Sequence, residues 1–102
     1  MSPRHNMALA VPVRTEMQMI RDCLFSIAGV QRVFVNSENG MYSILVVVHD
    51  KNDPNVQSGL YEKEAEIVNA FPAADFDFDV VFLCGRHLKD VVSPSGTELF
   101  AG

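Results

Sequence analysis

The sequence predicts a single α+β domain, and three observations carry that prediction. Two stretches repeat apolar residues at helical spacing, each behind a capping residue, Thr15 and Asp53. An Asn39-Gly40 pair sits between two β-rich runs, which is hairpin chemistry. From Asp75 onward, aspartate and phenylalanine alternate strictly before giving way to an apolar run, the signature of a strand.

Residues 1–6 read as a loose tail, and residues 7–13 as a first strand or an extended arm. Pro12 suits a sheet edge there and resists a central ladder position. Thr15 and Gln18 have the spacing of a capping box. Behind it Met17, Ile20, Leu24 and Ile27 form one helical face, so the first helix is expected from Glu16 to Ala28, with Gly29 ending it. Val30 to Asn36 reads as a strand and Met41 to His49 as its return. Ile44 to Val48 is apolar without alternation, so the return strand should be interior and covered on both faces.

Asp53-Pro54 opens a second helix, since Asp53 can cap it and Pro54 lacks only an N–H that the first turn leaves unused. Val56, Leu60, Ile67, Val68 and Phe71 supply its apolar face, and Pro72 stops it. Phe76 to Cys84 is the last clear strand. Beyond Gly85, residues Arg86 to Val92 have room for one helical turn. Ser93-Pro94-Ser95-Gly96 is loop chemistry, and Leu99-Phe100 is expected to fasten residues 93–102, read as a C-terminal tail, back onto a domain spanning residues 7–92. The order (β)αββαβ is that of the split βαβ, ferredoxin-like arrangement. Two helices would cover one face of an antiparallel sheet. The other face would be acidic at one end and apolar around Val81 and Leu83 at the other, a surface suited to a two-fold homodimer.

Composition narrows the function. Lys plus Arg number 8 against 13 Asp plus Glu, a net charge of −5, and the basic residues are scattered. That balance disfavours nucleic acid and anionic membrane surfaces as partners. No stretch approaches the ~20 apolar residues of a membrane-spanning helix. Cys23 and Cys84 fall in elements expected to be buried, so reduced thiols and a cytoplasmic location are expected.

Three constellations could carry chemistry. Asp75, Asp77 and Asp79 project on one sheet face, where oxygen ligands suit a hard divalent cation, with Asp50 or Asp53 as a further carboxylate. The plainer reading is that alternating aspartates solvate a half-buried strand and discourage edge pairing. Gly85, Arg86 and His87 follow the last strand and form the best candidate ligand-binding site. Glycine admits a close approach, and arginine offers a planar fork to carboxylate or phosphate. An ordinary Gly-Arg turn is the alternative. Cys84 and His87 have Cys-x-x-His spacing without a second pair, so His49 and Cys23 would have to complete any zinc site. No Gly-x-Ser-x-Gly elbow and no phosphate-binding glycine loop is present. An enzyme is therefore not expected, and no cofactor is called for.

Gly29-Val30, then Val33-Phe34-Val35, an apolar strand, an acidic helix and a final strand resemble small ferredoxin-like regulatory modules, across about residues 15–84. The cytoplasmic domains of cation-efflux transporters and the amino-acid-binding ACT domains share this rhythm. The metal ligands of the efflux domains have no counterpart here. Val33-Phe34-Val35-Asn36-Ser37 with the Phe-Asp-Phe-Asp strand also resembles minimal nucleotidyltransferase-like domains. In this chain Asn36 stands where they have glycine, and Tyr42-Ser43-Ile44 where they have paired aspartates. That resemblance implies a relative whose metal chemistry is lost, and magnesium belongs only to this alternative. The whole chain resembles small bacterial α+β proteins, a likeness that implies no activity. The leading expectation is a non-catalytic interaction or small-ligand-binding module. The alternatives are a metal-assisted nucleotidyltransferase-like enzyme or its degenerate relative, and an antitoxin-like regulatory partner of another protein.

Overall fold

The computed structural model describes residues 15–50 and 53–101, so the expected tail 1–6 and strand 7–13 lie outside the described residues. Helix α1 spans Glu16–Phe25 behind a complete capping box. The Gln18 N–H donates to Thr15 Oγ1 at 3.1 Å, and the Thr15 N–H donates to Gln18 Oε1 at 3.0 Å. The helix ends earlier than its apolar spacing suggests, because Ser26 takes the C-cap and donates its hydroxyl to the Cys23 carbonyl at 2.6 Å. Gly29 follows with φ 103, and a β-carbon there would stand 2.8 Å from Val56 Cγ2. Glycine thus serves both the left-handed turn and the close approach of the second helix.

Strands β1, Val30–Glu38, and β2, Met41–Val48, form the hairpin. Its two turn residues, Asn39 and Gly40, have φ 52 and 81, and Glu38 pairs with Met41. Helix α2 spans Pro54–Ala70, with the Asn55 N–H donating to Asp53 at 3.0 Å. Strand β3 spans Asp75–Phe82, and a short 3-10 turn follows at Leu88–Asp90. Residues 97–99 form β4, which pairs antiparallel with β1.

Among the described residues the chain is therefore α+β, with a four-stranded sheet ordered β3-β2-β1-β4 and two α-helices. The sheet is mixed where an antiparallel one was expected. β2 and β3 pair directly and in parallel, from Met41 opposite Asp75 to Val48 opposite Phe82. The physical reason is the connection. The 17 residues of α2 return the chain to the end where β2 began, the crossover a parallel neighbour requires.

The helix-facing core joins Ile20, Leu24, Val33, Val35, Ile44, Val46, Val48, Val56, Leu60 and Ile67. Burial of each such side chain contributes about 1.5–3 kcal/mol. A second cluster, Phe34, Val47 and Leu88 with Leu45, Leu83 and Val92, occupies the opposite face. β2 is thus interior and covered on both faces, in keeping with its unbroken apolar run. The 88–92 segment roofs part of the apolar end of the open face, so Val81 and Leu83 are half-buried. Less surface remains there for a second subunit than the sequence suggests. Leu99 packs against the helix-facing core, while Phe100 is exposed.

Candidate functional site

The parallel pairing of β2 and β3 brings their C-terminal ends together, and a cleft of about 930 Å³ opens there. A volume of that order accommodates a small molecule. His49 and Asp50 from the end of β2, Val80, Val81 and Phe82 from β3, and Cys84, Gly85, Arg86 and Val91 beyond it line the cleft. The ladder runs on past both strands. The Leu83 N–H donates to the Val48 carbonyl at 2.9 Å and the Cys84 N–H to that of His49 at 2.8 Å.

The chain then reverses through two left-handed residues, Cys84 at φ 51 and Gly85 at φ 87. Glycine adopts this freely, whereas a cysteine there carries strain that its surroundings must hold. The turn fixes Arg86. Its N–H donates to the Leu83 carbonyl at 3.0 Å, its Nε to the same carbonyl at 2.9 Å, and its Nη2 to the Phe82 carbonyl at 2.8 Å. Among the described residues, two of the five guanidinium donors are thereby committed and three are left over.

Of the three residues expected as a ligand site, Gly85 and Arg86 line this cleft. His87 does not. It stands one residue further on, exposed, as the N-terminal cap position of the 3-10 turn. His49 and Cys84 meet through the ladder, whereas Cys23 is buried in α1 on the helix-facing side. Cys84 is exposed, contrary to the burial its apolar neighbours suggest, because the left-handed turn carries it out of the strand.

Asp75, Asp77 and Asp79 are exposed on the face away from the helices, opposite Met41, Ser43 and Leu45 of β2. Alternate strand positions stand about 7 Å apart, too far for adjacent oxygens to share one cation without side-chain convergence. Asp53 is engaged in capping α2, and Asp50 lies at the cleft. Among the described residues, no three His, Cys, Asp or Glu side chains converge on a metal position.

A second groove runs between α2 and β3, lined by Gln57, Leu60, Tyr61, Glu64, Val80 and Phe82. Burial pushes the Glu64 carboxyl above its ordinary value. Tyr42 stacks on Phe76 at 5.3 Å between ring centroids. Its hydroxyl is held above the ordinary tyrosine value, first by burial and then by the neighbouring Glu16 carboxylate. No described helix is long and apolar enough to cross a membrane. In comparison with known proteins, the chain matches no family model, no curated protein and no solved structure.

Proposed function

We propose that this chain is a non-catalytic, cytoplasmic module of ferredoxin-like character that binds a small anionic ligand in the cleft at the ends of β2 and β3. The observation that carries the reading is the fixed guanidinium of Arg86, tied to the Phe82 and Leu83 carbonyls at the cleft wall. Open sheets with parallel strands bind ligands beyond the carboxyl ends of those strands, and this cleft lies at that position in the β2-α2-β3 unit. A guanidinium with spare donors recognises carboxylate or phosphate through two parallel hydrogen bonds. The net charge of −5 favours a small, compact anion over a polyanion.

Calorimetric titration with inorganic phosphate and with citrate tests this. The wild-type chain should bind one of them saturably, and Arg86→Gln should weaken binding by about tenfold or more, the loss of a charge-assisted pair. A thermal melt of Arg86→Gln guards against unfolding as the cause. Failure of both anions to bind, or equal binding by a folded Arg86→Gln, would contradict the proposal.

A further inference from the structure

We infer that the ligand of the Arg86 cleft is a monoanion with an apolar tail, a carboxylate on a short hydrocarbon chain, and that the tail lies in the groove between α2 and β3. This rests on the proposed anion cleft and names the class of ligand within it. The cleft and the groove form one continuous surface, since Val80 and Phe82 line both. The guanidinium stands at their junction, because its Nη2 donates to the carbonyl of Phe82 itself at 2.8 Å. A cation therefore sits at one end of an apolar track.

The track follows from the strand. Val80 and Phe82 are alternate residues of β3, so they share the helix-facing side and stand about 7 Å apart. Both pack against the helix-facing core, yet neither is fully buried. Leu60 and Tyr61 of α2 supply the facing wall, and Tyr61 is 81% exposed. The groove holds about 250 Å³, smaller than a drug-sized pocket and suited to a slender chain. A hydrocarbon tail laid there removes apolar surface of both partners from water, and the stabilisation grows with the area covered. A compact hydrophilic anion would meet Arg86 and leave the groove unused.

The ionisable groups limit the ligand to one negative charge. Among the described lining residues, Arg86 is the one side chain that is cationic at every working pH. Asp50 lines the cleft and Glu64 the groove, so a carboxylate stands at each end. Burial already holds the Glu64 carboxyl above its ordinary value, which marks that end as poorly solvated. A second anionic group there would meet both a like charge and a dry wall. The ligand's charge therefore belongs at Arg86 and its apolar end toward Glu64.

Calorimetric titration of the full chain with butyrate, hexanoate and octanoate, beside phosphate and citrate, tests the inference. Affinity should rise by about fourfold for each methylene the groove covers, so octanoate should bind about tenfold or more tighter than butyrate. Octylammonium, with the same tail and the opposite charge, should bind more weakly than octanoate. Arg86→Gln should weaken octanoate by about tenfold or more. Tyr61→Asp puts a carboxylate on the groove wall and should lower the octanoate-to-butyrate affinity ratio. Arg86 and Tyr61 are both exposed, so both variants should keep the wild-type melting curve. Phosphate or citrate bound through Arg86, with an acid series that does not rise with chain length, would overturn this inference and leave the anion cleft standing. Octylammonium binding as tight as octanoate, or octanoate binding that Arg86→Gln does not weaken, would also overturn it, since the tail would then be held without the guanidinium. Binding of none of these anions would overturn both.

Discussion

Arg32 and Glu98 form a two-bonded ion pair across the β1–β4 edge, with Nε to Oε2 at 2.9 Å and Nη2 to Oε1 at 2.7 Å. The same guanidinium lies 5.0 Å from the centre of the Phe34 ring. β4 has only three residues, and this pair adds to its backbone pairing with β1 and to the packing of Leu99. The Arg32 hydrogen bond holds the Glu98 carboxyl below its ordinary value. A depressed carboxyl contributes stability above its unfolded value of about 4.3 and loses it as pH falls through the folded value. Partly exposed pairs are worth about 0.2–1 kcal/mol. Glu98→Gln should therefore destabilise the chain by that amount at pH 7 and by less near pH 2. Urea unfolding of both proteins at the two pH values checks this, and a gap that persists undiminished in acid would contradict it.

Two glycines should respond differently to alanine. At Gly40, φ is 81 and a β-carbon would meet nothing within 4 Å, so the cost is backbone strain alone, about 1 kcal/mol. At Gly96, φ is 87 and a β-carbon would overlap the Val35 carbonyl oxygen. Gly96→Ala should cost more than Gly40→Ala and should release β4, seen as faster amide exchange along the β1 edge. Equal denaturation midpoints for the two variants would contradict this.

The two thiols should label at different rates in the native protein. Cys84 is exposed and Cys23 is buried in α1. A thiol reagent should modify one cysteine quickly, and Cys84→Ser should remove that fast phase. Two slow thiols would place Cys84 inside.

Thr15→Ala should loosen the start of α1. It removes the Oγ1 acceptor for the Gln18 N–H. Loss of such a cap costs about 1 kcal/mol. Chemical denaturation measures it, and an unchanged midpoint would show that the cap contributes nothing.

The features legible in the sequence are those set by neighbours a few residues apart. Thr15 with Gln18, Asn39 with Gly40 and Asp53 with Pro54 each act within one turn, and each forms as its chemistry suggests. The unbroken run Ile44 to Val48 marked an interior strand, and β2 is interior. Which strand lies beside it was not legible, because an apolar pattern sets the face a side chain takes and not the identity of its neighbour. The candidate site suffered for the same reason. Gly85 and Arg86 could be named from their own chemistry, but His49 and Asp50 join them only through the parallel register of β2 with β3. Cys84 ends an apolar run and so reads as buried, yet a left-handed backbone at that residue turns it outward.

The proposal that the cleft at the ends of β2 and β3 binds a small anion is tested most directly by mapping backbone amide shifts in an NMR titration with inorganic phosphate and with citrate. One anion should produce saturable shifts concentrated at His49, Cys84, Gly85 and Arg86, and Arg86→Gln should abolish them while the rest of the spectrum is unchanged. Shifts that never saturate, or that centre on another part of the fold, would contradict the assignment of this cleft as the binding site.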